Sequence, residues 1–195
     1  MASAQIAYEP DRPSEAGNNG SHRRFERQDA IRIIEEMQHE GIEQLDERFR
    51  RGSVPRFAEI EGRTRGGWLA RRNRRFWADA FIKVALDSPW ARWSGKGFWT
   101  NFDGVGTGKG ANLFDNRIFR TRLRYETFLR RAAFDGRPCL TLRYPVLSPM
   151  WGLVDDVRRV EEGVFLGQML YKFPWEKRRL NLGYFALCAL QPGQQ

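Results

Sequence analysis

The chain has 195 residues, with 33 lysines and arginines against 24 aspartates and glutamates, and a formal net charge of +9. This length suits one domain with a short appendage and is sufficient to bury a core. The charge favours an anionic partner, although an arginine-rich solvated surface has the same balance. No apolar segment is long enough to span a bilayer, and residues 1–20 lack the apolar core of a signal peptide, so we expect a cytoplasmic protein.

The cysteine and histidine content argues against several kinds of metal and nucleophilic site. The two cysteines, Cys139 and Cys188, lie in apolar strand-like segments, and the sequence contains no CxxC motif or Cys/His cluster that would predict zinc. The two histidines, His22 and His39, precede the β-rich part of the chain. A haem ligand or a Ser-His-Asp site within that part is therefore not expected, and we predict no metal and no cofactor.

The first part of the chain is predicted to contain a polar tail and two helices. Residues 1–24 are rich in polar residues, proline and glycine, which is typical of a disordered segment. The apolar residues of Phe25–Gln38 recur at helical spacing, and Gly41 stands where such a helix would end. A second helix is expected over Glu43–Arg50. Residues 25–51 therefore form an N-terminal helical cap, and residues 52–190 form the main domain.

An internal helix is expected over Arg74–Asp87, because its apolar residues recur at helical spacing until Pro89. The basic cluster Arg71–Arg75 overlaps its start. A basic amphipathic helix of this kind is suited to packing on a barrel wall, to closing a barrel mouth, or to peripheral contact with an anionic membrane.

The glycine-rich segment Asp103–Gly110 contains a Gly-Lys pair but does not match a phosphate-binding loop. The GxxxxGK[ST] motif requires glycine where Asp103 stands and a hydroxyl residue where Gly110 stands. The missing hydroxyl is the magnesium ligand of that motif, and the following segment is strand-like. We therefore predict a hairpin or rim loop, in which glycine permits positive φ at little cost.

From residue 117 onward the hydropathy pattern has a period of two. Apolar residues alternate with arginines in 117–129, and the alternation recurs in 140–144, 164–173 and 180–187. Such a pattern predicts strands with one buried and one solvated face. The pairs Asp135-Gly136 and Glu162-Gly163 indicate hairpin turns between them. The segment is therefore predicted to form a mainly β domain, an antiparallel sheet closed into a barrel.

Two adjacent acids in a predicted strand, Asp155 and Asp156, are candidate catalytic residues. Neighbouring residues of a strand point to opposite faces, so one of the two acids faces inward. If Val157 faces inward, Asp155 and Arg159 do so as well, whereas the opposite register turns Asp156 inward. An inward acid is suited to a structural ion pair, to anchoring a polar ligand, or to general base catalysis. Tyr125 is a third catalytic candidate.

Aromatic residues make up 13% of the chain, including 7 tryptophans. Such a set is typical either of a packed core or of a cavity for a flat or long apolar ligand. An eight-stranded barrel has interior room for side chains or for one small ligand. Lys96 and Arg159 are candidate contacts for an anionic head group. The candidate ligand-binding residues are Trp68, Trp93, Lys96, Phe98, Tyr125, Tyr144, Arg159 and Tyr171.

Several motifs between residues 49 and 190 have a recognisable spacing. They are Phe49-x-x-Gly52-x-x-Pro55, Glu59-Ile60-x-Gly62-Arg63-x-Arg65-Gly66, Trp93-x-Gly95-Lys96-x-Phe98, Asn112-x-Phe114, Leu123-Arg124-Tyr125, Asp156-x-x-Arg159-Val160-x-x-Gly163-x-x-Leu166-Gly167 and Tyr184-Phe185-x-Leu187. Together they resemble the pattern of GXWXG-type domains, lipocalin-like domains of unknown function, except that Thr64 occupies the place of the pattern's tryptophan. The resemblance implies a lipocalin-like (calycin) β-barrel with an interior cavity, and it implies no catalytic residue.

Three functions follow from these observations as hypotheses. The first is cytoplasmic binding of an apolar or amphipathic small molecule in a barrel cavity. The second is a cofactor-independent isomerase or cyclase acting on a polyketide- or polyene-like substrate, held away from water in the same cavity. The third is a basic surface binder of nucleic acid or membrane that uses Arg120, Arg122 and Arg124; nucleic acid ranks low because no standard RNA-binding motif is present. The oligomeric state is not indicated.

Overall fold

The computed structural model describes residues 22–72, 87–88, 91–103, 106–115, 121–148, 150–172 and 179–193. Three helices and nine strands occur within these ranges. The helices are α1 (Arg27–Gln38), α2 (Ile42–Arg51) and α3 (Phe57–Ile60), and the strands are β1 (Gly62–Arg71), β2 (Asp87–Ser88), β3 (Ala91–Asn101), β4 (Gly108–Phe114), β5 (Thr121–Arg131), β6 (Pro138–Arg143), β7 (Leu153–Glu161), β8 (Val164–Tyr171) and β9 (Leu180–Ala189).

Eight of these strands form a closed antiparallel barrel. The strands are hydrogen-bonded in the order β1-β9-β8-β7-β6-β5-β4-β3, and the pairing of β1 with β3 closes the ring. The two-residue strand β2 pairs only with the start of β3. The mainly β barrel predicted from the sequence is therefore confirmed. The internal helix predicted over Arg74–Asp87 lies almost entirely outside the described residues.

The period of two assigns the side chains of each strand to the inside or the outside of the barrel. In β7, Val157 belongs to the interior apolar cluster and Asp155 lies on the same face, as the first of the two predicted registers requires. Asp156 and Arg158 consequently lie on the outer face, where both are fully buried. Strand β7 is therefore buried on both faces. Closure of the sheet buries its inner face, and helices and loops cover its outer face.

The N-terminal helices α1 and α2 pack on the outer wall of the barrel. Their apolar faces join an outer cluster with residues from β6, β8 and β9; the helical members are Ala30, Ile34, Met37, Leu45 and Phe49. Burial of such apolar surface stabilises the contact between helix and sheet. Phe25, just before α1, pairs with Leu190 just after β9, which fixes the start of the described chain beside its end.

The short helix α3 closes the end of the barrel at which β1 begins. Phe57 and Ile60 belong to the interior cluster rather than to the outer one. The Glu59 carboxylate accepts a hydrogen bond from the Arg56 backbone N–H at 3.0 Å and holds the first turn. Four residues are too few to give a helical hydropathy pattern, so the sequence analysis did not identify this element.

The glycine-rich segment after β3 forms a hairpin with β4. The Phe102 N–H donates to the Thr107 carbonyl, and the Asp103 side chain accepts hydrogen bonds from the backbone N–H groups of Gly106 and Thr107. An aspartate that organises its own turn in this way is a common loop device. The end of the segment, from Gly108, belongs to β4, so the loop leads into a strand, as the sequence analysis indicated.

Candidate functional site

Side chains fill most of the barrel interior, and described residues line a small cavity within it. Its volume is about 10 Å³, which is roughly the room that a single water molecule occupies. The cavity combines apolar and aromatic walls with a cluster of ionisable and hydrogen-bonding groups. Its lining residues are Trp68, Trp93, Lys96, Asn112, Tyr144, Met150, Asp155, Met169 and Phe185.

Strand pairing brings the polar members of the cavity wall together. Lys96 of β3 is the direct partner of Asn112 in β4, so their side chains share the inner face. On the other side of the barrel, Asp155 of β7 is paired with Leu142 of β6, and Tyr144 follows two residues later on the same face. The barrel's closure then brings the β3–β4 pair within hydrogen-bonding distance of the β6–β7 pair.

The Lys96 ammonium group makes three short contacts in this cluster. Its Nζ lies 2.8 Å from Asn112 Oδ1, 2.8 Å from Tyr144 Oη and 2.8 Å from Asp155 Oδ2. An ammonium group has three donors, so all of them are used. The Lys96 side chain is 3% exposed, and a buried cation of this kind is stable only because it is paired and hydrogen-bonded.

Tyr144 and Asp155 form the acid–base pair of the cluster. The Tyr144 hydroxyl donates to Asp155 Oδ2 at 3.0 Å and accepts from Asn112 Nδ2 at 2.9 Å. Both Lys96 and Tyr144 therefore contact the same carboxylate oxygen. The other oxygen, Asp155 Oδ1, accepts no hydrogen bond from the described residues, and Asp155 lines the cavity.

An aromatic wall surrounds the ammonium group. The Lys96 Nζ lies 5.2 Å from the ring centroids of both Tyr125 and Phe185, 5.5 Å from that of Tyr144 and 5.8 Å from that of Trp93. Ring faces attract a cation at such distances. The aromatic wall therefore offsets part of the cost of burying this charge.

Trp68 completes the aromatic side of the cavity and leaves a hydrogen-bond donor unused. Its ring packs against Trp93 and Phe185 with centroid separations of 5.4 and 6.0 Å. The Trp93 indole N–H donates to Asn112 Oδ1 at 3.0 Å. The Trp68 indole N–H, by contrast, is buried without a hydrogen-bond partner. Buried donors are almost always satisfied, so this N–H is a donor in reserve that an acceptor reaches only if neighbouring side chains move.

Burial governs the ionisation of the cluster. Desolvation lowers the pKa of Lys96, while the adjacent Asp155 carboxylate opposes that shift. Desolvation, reinforced by the same carboxylate, holds the pKa of Tyr144 well above its usual value, and it does the same to Tyr125. Both phenols consequently keep their protons at neutral pH and act as hydrogen-bond donors.

A bulge in β5 lies beside the cluster. Leu123 has a φ of 64°, an unusual conformation for a residue with a branched side chain, and the pairing of β4 with β5 shifts opposite it, between Ala111 and Asn112. The Leu123 carbonyl accepts a hydrogen bond from Asn112 Nδ2 at 3.4 Å. The bulge thus helps to orient the amide that bridges Lys96 and Tyr144.

Five of the residues predicted from the sequence line the cavity together. They are Trp68, Trp93, Lys96, Tyr144 and Asp155. Tyr125 and Phe98 lie in the same interior cluster but outside the cavity lining. Their rings are 5.6 Å apart, and the Tyr125 hydroxyl donates to the Gly97 carbonyl. Tyr171 is partly buried and packs against that cluster.

Two predicted site residues, Asp156 and Arg159, lie away from the cavity. Asp156 is on the outer face of β7, bound by Arg130 and Thr141. Arg159 lies near the end of β7, with its side chain 39% exposed, and pairs with Glu59 of α3 at 2.6 Å. It therefore forms no pair with Asp155, and the cation beside Asp155 is Lys96 instead.

The sequence analysis missed three cavity residues, Asn112, Met150 and Met169. Asn112 had a usable signal, since it is a polar residue within the otherwise apolar run Ala111–Phe114, and a buried polar residue is the informative exception in a strand. The methionines gave no signal, because their pattern is that of ordinary core residues.

The described part of the chain offers neither a metal-binding cluster nor a membrane-spanning helix. It contains no group of three or more histidine, cysteine, aspartate or glutamate side chains suited to a metal ion. Among the helices described there, none has the length and apolar character needed to cross a membrane. Of the three arginines proposed to bind phosphates, only Arg124 has a described side chain, and it is exposed.

Comparisons with known proteins gave one structural match. No protein family and no curated protein matches the chain. Among solved structures, a crystal structure of a protein from Thermomonospora curvata aligns with 18% sequence identity and a TM-score of 0.47, covering 84% of this chain and 97% of that one.

Proposed function

We propose that the barrel binds a small molecule in the cavity between Trp68 and Asp155. The observation that carries the proposal is the indole N–H of Trp68, a residue of the cavity wall, which is buried and has no hydrogen-bond partner. The cavity wall also has an acceptor in reserve, because Asp155 Oδ1 accepts no hydrogen bond from the described residues. A ligand that satisfies both groups removes the cost of leaving a donor unpaired in a buried site.

The chemistry of the wall defines the class of ligand. Trp68, Trp93 and Phe185 favour a flat apolar body, and the Trp68 N–H favours one carbonyl, ether or hydroxyl oxygen on it. A hydroxyl or amine hydrogen on the ligand matches Asp155 Oδ1. Because all three donors of Lys96 are used within the protein, we propose that Lys96 holds the cluster in place and that the ligand carries no anionic head group bound to it.

The size of the cavity limits how such a ligand enters. A volume near that of one water molecule accommodates an organic compound only if side chains move. Met150 and Met169 are the lining residues best suited to this, because methionine is unbranched and adapts its shape at small energetic cost. We therefore propose that binding widens the cavity on the methionine side, while the hydrogen-bonded cluster keeps its geometry.

The proposal is tested with a panel of compact aromatic ketones, phenols and alcohols. Saturation-transfer NMR on the purified protein identifies the compounds that bind, and thermal unfolding measures the stabilisation that each produces. We expect binding by compounds with both an aromatic body and an oxygen acceptor, with weaker binding by the matching hydrocarbons. If no member of the panel binds and a crystal structure contains only water in the cavity, the proposal is wrong.

A second candidate function rests on the contact between Tyr144 and Asp155. A carboxylate whose Oδ1 accepts no hydrogen bond from the described residues, next to a protonated phenol, is suited to moving a proton within a bound substrate. This arrangement supports a cofactor-independent isomerase or cyclase as the alternative. Incubating the ketones that bind in deuterated water, with NMR detection of exchange next to the carbonyl, tests it. Exchange that is lost in D155N while binding remains supports catalysis, and an absence of exchange favours a binding protein.

A further inference from the structure

The connection between β6 and β7 carries a cluster of exposed apolar side chains. Five large hydrophobic residues are strongly exposed in the described part of the chain, and three of them lie within this connection. They are Val146 at 76%, Leu147 at 98% and Trp151 at 48% exposure. We refer to these three residues as the apolar tip. Single exposed apolar residues are normal on protein surfaces, but three within six positions form a local feature.

The apolar tip is held by hydrogen bonds in a defined turn. The Ser148 N–H donates to the Pro145 carbonyl at 2.9 Å, which places Val146 and Leu147 at the two central positions of a β-turn. A second such contact joins the Trp151 N–H to the Ser148 carbonyl at 2.9 Å. Central turn positions are usually polar or glycine, so the local fold of this turn does not require the two aliphatic side chains.

Basic side chains flank the apolar tip. Arg143 immediately precedes the connection, and its side chain is 60% exposed. Lys172 is exposed and lies beside the connection, because its N–H donates to the Gly152 carbonyl at 3.0 Å. Among the described residues, Glu126 pairs with Arg143 at 3.3 Å, and Lys172 has no such acidic partner. The whole chain carries a formal charge of +9, so the surroundings of the tip favour an anionic surface.

We propose that the apolar tip docks the protein on an anionic membrane surface. Aliphatic side chains at a protruding turn enter the acyl boundary, a tryptophan is suited to the headgroup level, and nearby lysine and arginine are attracted to anionic lipids. A second copy of the chain or another protein is a poorer match. A stable protein interface buries about 1,200 Å² or more in total, whereas the tip consists of three side chains on two consecutive turns.

The position of the tip gives this docking a consequence for the barrel. Tyr144, just before the turn, and Met150, within the same connection, both line the interior cavity. Docking therefore orients the cavity end of the barrel toward the lipid. The membrane contact itself does not depend on the proposed ligand binding, because the residues of the tip are not part of the cavity lining.

Cosedimentation with lipid vesicles tests the docking. We expect the protein to bind vesicles of phosphatidylcholine mixed with phosphatidylglycerol more strongly than pure phosphatidylcholine vesicles. Replacing the two aliphatic residues, V146S/L147S, is expected to weaken binding about tenfold, since most of the inserted apolar surface is lost. K172E is expected to weaken binding only to the anionic vesicles. All three proteins should unfold at similar temperatures, because the substituted side chains are exposed.

F102S provides the matched control. Phe102 is 59% exposed and has the Lys109 ammonium group 5.4 Å from its ring centroid, but it lies in the β3–β4 hairpin at the opposite end of the barrel. This variant is expected to bind vesicles as the unmodified protein does. The proposal is overturned if V146S/L147S retains full binding, if F102S loses as much, or if the unmodified protein does not bind anionic vesicles. It is also overturned if V146S/L147S instead dissociates an oligomer measured by light scattering.

Discussion

Asp155 and Asp156 are adjacent in β7, yet their carboxylates have different surroundings on the two faces of the barrel wall. Asp155 points inward, places both of its contacts on one oxygen and borders a cavity. Asp156 points outward and is saturated: Oδ1 accepts from Arg130 and from Thr141 at 2.8 and 2.7 Å, and Oδ2 accepts from the Ala133 N–H at 3.4 Å.

The difference separates a structural ion pair from a candidate site. Both acids are buried and both have a cation 2.8 Å away, so neither burial nor charge pairing distinguishes them. The distinguishing features are that Asp155 Oδ1 accepts no hydrogen bond from the described residues, that the buried indole N–H of Trp68 has no partner, and that both residues line the cavity. A buried acid becomes a functional candidate when its hydrogen-bonding capacity exceeds what the protein supplies.

The largest expected effect follows replacement of Lys96 by methionine. This change leaves Asp155 buried without its cation, and breaking one side of a buried ion pair costs about 3–5 kcal/mol of unfolding free energy. The double variant K96M/D155L removes both charges and is expected to recover most of that loss. Denaturant unfolding measures both variants. If K96M alone is as stable as the double variant, the inner pair is not the buried ion pair described above.

Asp156→Ala is expected to have a smaller effect and to leave ligand binding unchanged. The change removes the acceptor of the buried Thr141 hydroxyl, which keeps its contact with Arg130 Nε at 2.8 Å, while Arg130, whose side chain is 24% exposed, regains water. We expect a loss of about 2 kcal/mol in the free energy of unfolding. Affinity for the panel compounds, measured by calorimetry, should not change. A loss of binding in this variant would place the outer acid in the functional site.

Trp68→Phe tests the unpartnered indole N–H with little change in packing. We expect affinity for the best oxygen-bearing compound to fall about tenfold, which corresponds to one lost hydrogen bond. The free energy of unfolding should fall slightly, because the smaller ring loses part of the packing against Trp93 and Phe185, and the removal of an unsatisfied donor offsets only part of that loss. Trp99→Phe, at a position 49% exposed, is the control and should not alter affinity. Equal affinities for all three proteins would exclude the indole from the ligand contact.

The smallest expected effect is the pH dependence of stability that the two buried cysteines contribute. Burial raises the pKa of the Cys139 thiol and of the Cys188 thiol to about 12. In the unfolded chain these thiols ionise near pH 8.5, so they release protons on unfolding above that pH. Their contribution to stability is full below about pH 8.5 and is lost as the pH rises toward 12.

A thiol reagent at pH 8 measures the protection of both cysteines. We expect no reaction on the timescale of minutes in the folded protein and reaction of both thiols in guanidinium. Rapid reaction in the folded state would show that the outer cluster opens readily and is less well packed than the interior.

The strands could be predicted because the alternation of apolar and polar residues is a local property of the sequence. The same alternation left only two possible registers for Asp155 and Asp156. The partner of Asp155 could not be predicted in this way. Lys96 reaches Asp155 only because the barrel closes, whereas Arg159, two positions from Val157 on the same strand, is drawn to Glu59 of α3. That helix has too few residues for a periodic signal, so neither it nor its ion pair was predictable.

The cavity could not be predicted from the sequence for a similar reason. The sequence indicates that aromatic residues face inward, but whether they fill the barrel depends on how the rings pack. Trp68 and Phe185 make edge contacts with centroids 6.0 Å apart, and Gly167 permits the Phe185 ring to lie across its Cα, since a Cβ there would come within 2.1 Å of that ring. Such contacts arise from the three-dimensional arrangement and not from the pattern of one strand.

Mass spectrometry of compounds extracted from protein that is purified from its natural host shows whether the barrel carries a ligand. We expect a compound with an apolar, ring-containing body and at least one oxygen, present in near-stoichiometric amount and reduced in protein carrying Trp68→Phe. If the extract contains no compound above trace level, the barrel does not bind a small molecule as proposed.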